Sequence, residues 1–331
     1  MNLRITCMMV ASFFAMTTSL AQEITQEQIE ELAEAVEPKV ISWRRDIHEN
    51  PELGNREFRT SALIARHLED LGLEVTTGIA HTGVVGILKG SRPGKVIGLR
   101  ADMDALPVTE EVDLPFASSV TTTYNGQEVG VMHACGHDTH VAMLMGVAEV
   151  LASVRDELAG TVMFIFQPAE EGAPVGEEGG AELMLKEGLF DIARPDAVFA
   201  LHVASDLPSG VIGFRAGPAL ASADTFEITV TGSQTHGAMP WNGVDPIVTA
   251  AQIVTATQTI ISRQVNISEL PAVVSFGTIH GGVRTNIIPE TVTLSGTIRT
   301  YDLDVKAAIH ERLTRTATAI AESAGAAADV D

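Results

Sequence analysis

Lys95-Val96-Ile97-Gly98-Leu99-Arg100-Ala101-Asp102-Met103-Asp104 is an aliphatic run that ends in two acids. Three other runs of its length occur in the first two thirds of the chain: Gly83 to Leu88, Thr161 to Phe166 and Ala197 to Leu201. None alternates apolar with polar residues, as expected of strands buried on both faces. Helical segments, Val141 to Leu151 and Ala181 to Glu187, separate several of them. The expected fold is therefore α/β, with a mostly parallel, doubly wound sheet. Such sheets place ligands beyond the carboxyl ends of their strands. Here those ends carry Asp102 and Asp104, then Gln167-Pro168-Ala169-Glu170-Glu171-Gly172, then His202. One pair of acids is usually a solvated turn. Three such ends predict a functional rim.

A fourth stretch belongs to that rim: His133-Ala134-Cys135-Gly136-His137-Asp138-Thr139-His140. Thiol, imidazole and carboxylate groups within a few residues are the composition of a transition-metal site. Cys135 and His137 are two apart and cannot share a helix face. They need a looped backbone, which Gly136 permits. An apolar helical run follows from Val141, so Cys135 is expected just before a helix N-terminus, where a thiol loses its proton more easily. The competing reading of Cys135 is simple deep burial.

The chain has 331 residues and a formal charge of -22. Such acidity argues against nucleic acid and anionic membranes as partners. Residues 1–21 read as a secretory signal: Arg4, an apolar run from Met8 to Met16, and a small residue at Ala21. The run is too short for a membrane span. Export is expected, to the periplasm or outside the cell, with cleavage near Ala21–Gln22. Cys7 would leave with the signal, so Cys135 would have no disulfide partner.

Ile24 to Val40 and Val40 to Glu49 are expected helices, and a third runs from about Glu57 to Leu71 with Gly72 behind it. Near Ala216 the pattern changes. Thr225 to Thr231 alternates, as a half-exposed antiparallel strand does. Asp245-Pro246 opens a helix that runs to about Arg263. Ala272 to His280 and Thr291 to Thr300 are strands, a last helix starts near Asp304, and Ala326 to Asp331 begins a candidate fourth strand. This predicts a ferredoxin-like α+β domain over 216–331, after a first domain over 22–215.

Six motifs now carry a resemblance: Arg100-Ala-Asp-Met-Asp-Ala105, His133-Ala-Cys-Gly-His-Asp138, Gln167-Pro-Ala-Glu-Glu-Gly172, Ala200-Leu-His-Val203, Thr235-His-Gly-Ala-Met-Pro240 and Thr285-Asn-Ile-Ile-Pro289. In this order they resemble the aminoacylase, hippurate hydrolase and auxin-conjugate hydrolase branch of the dinuclear metallopeptidases. The resemblance implies a catalytic domain holding two divalent metals (zinc, manganese, cobalt or nickel), and an inserted lid that pairs two subunits. It implies Cys135, His137, Glu171 and His202 as metal ligands, with Asp104 and Asp138 supporting them. Glu170 is implied as the general base for a metal-activated water. His236 is implied as the oxyanion group, reaching over from the partner subunit's lid. Asn286 and Arg299 are implied to hold the substrate carboxylate. The implied reaction is hydrolysis of N-acyl amino acids. Two alternatives stay open: a dipeptidase or carboxypeptidase of the same clan, and a metal-binding chain without turnover. The second arises because the family continues past the lid to a further ligand histidine, so that this chain is expected to lack part of the catalytic domain.

Overall fold

The structure, a computed structural model, describes residues 24–331. The expected signal over residues 1–21 lies outside them. No described helix is long and apolar enough to cross a membrane. The chain divides into two compact units, the first ending at Asp206 and the second spanning Leu207–Asp331.

In the first unit, α1 (Gln26–Glu49) begins at a capping box, Thr25 and Gln28 each satisfying the other's backbone N–H. It is one helix, not two meeting at Val40. Pro38 sits inside it on the exposed side, where water can serve the Glu34 carbonyl that the proline leaves free. Helix α2 (Phe58–Asp70) leads to β1 (Glu74–Ile79), β2 (Gly83–Lys89) and β3 (Arg92–Asp102). A small hairpin follows, β4 (Thr121–Tyr124) with β5 (Gln127–Gly130). Then come α3 (His137–Ser153), β6 (Ala159–Gln167), α4 (Gly180–Lys186), α5 (Leu189–Ile192) and β7 (Ala197–Ala200).

The five-stranded sheet has the order β1-β2-β6-β3-β7. Its β3/β6 and β3/β7 pairings are parallel, but β1/β2 and β2/β6 are antiparallel. The sheet is therefore mixed, which corrects the mostly parallel expectation. The connections explain it. A parallel partner needs a crossover of a dozen or more residues. Helix α3 supplies one between β3 and β6, and α4 with α5 another between β6 and β7. Only residues 80–82 join β1 to β2, so those strands must turn back on each other.

Phe164 and Phe166 point to one face of the sheet, with Leu68, Met103 and Met145. Met163 and Ile165 point to the other, with Val85, Ile87, Met184 and Leu189. Each large apolar side chain buried in this way stabilises the fold by about 1.5–3 kcal/mol. Gly146 lets α3 close on α1, since a Cβ there would meet Val40 at 2.6 Å. That contact fixes where the first turn of α3 stands over the sheet.

The second unit contains β8 (Asp224–Thr231), β9 (Thr235–His236), α6 (Pro246–Thr259), β10 (Ala272–Gly281), β11 (Ile287–Ile288), β12 (Thr291–Thr300), α7 (Leu303–Ser323) and β13 (Ala327–Val330). Its main sheet, β10-β12-β8-β13, is antiparallel throughout. The alternation of β8 buries Phe226, Ile228 and Val230 against Ile253, Ile309 and Leu313 of the two helices. Asp245 caps α6 through the N–H groups of Ile247 and Val248, with Pro246 in the first turn.

Candidate metal centre

The parallel strands β3, β6 and β7 carry their C-terminal ends to one rim of the first unit, and the first turn of α3 stands over it. Gly136 ends the loop before α3 with φ +90°, a left-handed value that suits glycine. A Cβ at Gly136 would lie 2.3 Å from the Val203 side chain. Two segments far apart in sequence, Cys135–His137 and His202–Val203, therefore pack directly together. The sequence placed the helix start at Val141. It begins at His137, so His137, Asp138 and His140 all occupy its first turn.

His137 is fully buried. Its Nδ1 lies 3.2 Å from Asp104 Oδ1. A carboxylate accepts, so Nδ1 carries the proton and Nε2 presents its lone pair. Among the described residues, that Nε2 is buried without any hydrogen-bond partner. Around it lie Asp102 Oδ2 at 3.7 Å, Glu170 Oε2 at 3.7 Å and Glu171 Oε1 at 4.0 Å. His202 shows the same pattern. Its Nδ1 donates to the Val203 carbonyl at 2.6 Å, and its Nε2 faces Cys135 Sγ at 3.4 Å. Three overlapping donor sets result: Cys135, His137 and His202; His137, Glu170 and Glu171; Asp102, His137 and His140. His137 belongs to all three. The other three expected ligands, Cys135, Glu171 and His202, thus gather around the His137 imidazole.

The loop after β6 is held from behind. Asp104 Oδ2 accepts the Glu171 backbone N–H at 2.9 Å. Glu57 Oε1 accepts the Ala169 N–H at 2.8 Å, and Glu57 Oε2 takes the Thr82 hydroxyl at 2.6 Å. Ala169 itself adopts left-handed backbone, φ 48°. Asp138 turns elsewhere: its Oδ2 receives Arg44 Nε at 2.8 Å and His48 Nδ1 at 2.9 Å. Neighbouring helix positions diverge by about 100°, so Asp138 ties α3 to α1 while His137 faces the rim. His133 is buried with neither ring nitrogen paired among the described residues, and burial pulls its pKa down to about 4.

The electrostatics are one-sided. Asp102, Asp104, Glu170 and Glu171 crowd this rim, and Arg100 is the guanidinium beside them, 2.6 Å from Asp102. Burial and then the Asp102 charge push Glu170 above the usual carboxylate range. Burial pulls His137 down, but its bond to Asp104 and the charges of Asp102, Asp104 and Glu170 outweigh this and raise it. Burial and then Glu171 push the Cys135 thiol up to about 12. The expected help from the helix N-terminus is thus overwhelmed by burial, with the neighbouring acids adding to it.

These residues fit divalent cations. A buried imidazole nitrogen has no partner, and sulfur, nitrogen and oxygen donors converge beside it under an excess of negative charge. One tetrahedral zinc between a thiolate and an imidazole would set their donors about 3.5 Å apart. Cys135 and His202 stand at 3.4 Å.

The profile of Peptidase family M20/M25/M40 matches residues 98–329. The chain belongs to this family. It is 43% identical over 305 residues to thermostable carboxypeptidase 2 of Saccharolobus solfataricus, covering 92% of this chain and 74% of that one. It is 42% identical over 297 residues to the N-acetylcysteine deacetylase of Bacillus subtilis, covering 89% of this chain and 74% of the relative. Among solved structures, the Bacillus subtilis YXEP protein, described as a dinuclear metal binding peptidase of the M20 family, superposes with a TM-score of 0.72 at 39% identity. That match covers 90% of this chain and 74% of that one.

The remaining expected residues of this M20 chain lie in the second unit. The segments that carry His236 and Asn286 pair there: His236 stands opposite Ile287 in the β9/β11 ladder, and Gly237 N–H donates to the Asn286 carbonyl at 2.8 Å. Arg299 is exposed and pairs in register with Val273. It lies toward the opposite end of β12 from the turn that carries Asn286, about 26 Å along the strand from Thr291. Sequence reasoning set Asp102 on the rim without giving it a role, and it missed Arg100 and Glu57. Asp102 and Arg100 stood in a quoted motif, but no local signal named their partners.

Proposed function

We propose that this M20 chain is a metal-dependent amidohydrolase that cleaves the amide bond of N-acylated amino acids. The observation that carries the reading is the gathering of Cys135, His202, Glu170 and Glu171 around the unpaired Nε2 of His137. Cys135, His137, Glu171 and His202 would hold two divalent ions. The thiolate favours zinc, cobalt or nickel over magnesium, and manganese stays in the set. Such ions lower the pKa of a water toward neutrality and polarise the amide carbonyl.

The chain's own residues do the rest. Glu170 takes a proton from the attacking water on its carboxylate and delivers it to the leaving amine. Asp104 orients His137 through Nδ1 and steadies Glu171 through its backbone N–H. In the second unit, His236 supplies the donor for the developing oxyanion. Asn286 and Arg299 bind the substrate carboxylate, one from each of the two paired lids, since within one chain they stand toward opposite ends of β12. This reading takes residues 22–215 as the catalytic domain. It takes 216–331 as a ferredoxin-like lid that pairs two subunits, so that each His236 serves the neighbouring site. It also takes residues 1–21 as an export signal, which sends the enzyme to the periplasm or beyond.

Cobalt-loaded or zinc-loaded protein should release amino acid from N-acetyl amino acids and hippurate. Release from dipeptides alone would favour the second reading, a carboxypeptidase or dipeptidase, to which the likeness to the Saccharolobus enzyme points. Metal uptake without hydrolysis of any amide would overturn both.

A further inference from the structure

His140 belongs to one of the three donor sets, yet both of its ring nitrogens are already engaged. Nε2 accepts the backbone N–H of Val203 at 2.9 Å. That bond fixes the tautomer: Nε2 is bare and Nδ1 carries the proton. Nδ1 donates it to Asp102 Oδ1 at 2.6 Å. The other oxygen of Asp102 receives Arg100 Nη1 at 2.6 Å. Arg100 in turn donates to Gln167 Oε1 through Nε at 2.9 Å and Nη2 at 2.7 Å. A chain of bonds thus runs from Gln167 at the end of β6, through Arg100 and Asp102 of β3 and His140 of α3, to the backbone just past β7.

Val203 is the residue this chain grips, and it is held at three points. Its N–H is bonded to His140, its carbonyl receives His202 Nδ1, and its side chain rests on Gly136. The His140 ring also lies edge-on to the His202 ring, with centroids 4.8 Å apart. We propose that His140, oriented by Asp102 and Arg100, is a positioning residue that aims His202 Nε2 at Cys135 by fixing Val203. It is not itself a ligand. The inference rests on the reading of His202 as a metal ligand.

The test titrates cobalt(II) into metal-free full-length protein and follows both binding and the cobalt absorption spectrum. Three variants separate the roles. In His140→Gln the amide oxygen reaches the position of Nε2 and can still accept from Val203. In His140→Asn the amide reaches only the position of Nδ1, bonds Asp102 and leaves Val203 free. His140→Ala removes both bonds. The alanine and asparagine variants should keep two sites, weaken one of them about 10–100-fold and shift the cobalt bands. The glutamine variant should stay close to the parent in both. Urea unfolding of the metal-free proteins checks the fold, and the Gln–Asn comparison survives if alanine unfolds. Parent-like binding in all three variants would overturn the proposal. So would equal weakening in all three, which would mean packing, or loss of a whole site in all three, which would make His140 a ligand. A parent that takes up no cobalt would instead overturn the metal reading, and this proposal with it.

Discussion

Asp104 Oδ1 lies 3.2 Å from His137 Nδ1, deep enough that neither side chain meets water. The same carboxylate holds the Glu171 N–H with its other oxygen. One side chain therefore sets the tautomer of a histidine and the position of a glutamate from another loop. Asp104→Ala should weaken cobalt binding about 10–100-fold and lower activity with it. Titration of the metal-free variant measures this, and unchanged affinity would remove Asp104 from the site's support.

Glu170 approaches His137 Nε2 at 3.7 Å, and among the described residues no backbone N–H donates to its carboxylate. Its carboxylate is thus free to move a proton. Glu170→Gln should abolish turnover of N-acetyl amino acids while two metal equivalents persist by elemental analysis. Loss of metal in that variant would show that Glu170 is a ligand rather than a base.

Glu57 is buried, and burial lifts its carboxyl from 4.5 to about 6. The folded state then holds its proton more tightly than the unfolded state does. Its favourable contribution is complete below pH 4.5 and is lost as pH rises through about 6. Between pH 5 and 7.5 the metal-free parent should lose about 1 kcal/mol of stability that Glu57→Gln does not lose. Urea midpoints at the two pH values give the difference. A parent-to-variant gap that stays constant with pH would contradict the assignment.

Gly136 has two reasons to be glycine: φ +90° and a Val203 methyl 2.3 Å from where its Cβ would lie. Gly136→Ala should cost about 1–2 kcal/mol in backbone strain. It should also push Val203 away and loosen the Cys135–His202 pair. A lowered melting temperature with undiminished cobalt affinity would mean that Val203 does not control His202.

Much of this was legible from residues alone. β2 and β6 are aliphatic without alternation and are buried on both faces, and the acids after β3 and β6 stand on the rim where strand ends predict them. The antiparallel half of the sheet was not legible. β1, Glu-Val-Thr-Thr-Gly-Ile, is a mostly exposed edge strand, so burial imposes no apolar pattern on it. The support of the site was hidden for another reason. Asp102 and His140 are separated by 38 residues, and Glu57 and Ala169 by 112. Such partners share no spacing rule, because three-dimensional packing alone brings them together. Asp138, read from its motif as support for the ligands, has Arg44 and His48 as partners because helix geometry turns it away from its neighbour.

Ala169 keeps its left-handed backbone although it is not a glycine. Residues with a Cβ seldom settle there unless their surroundings insist, and the Glu57 bond to its N–H is part of that insistence. The two glutamates that follow are chemically identical, so nothing in their side chains tells one from the other. The main chain does: the left-handed corner just before them, braced by a remote carboxylate, brings both twins to one imidazole, while only the second has its N–H tied down by Asp104.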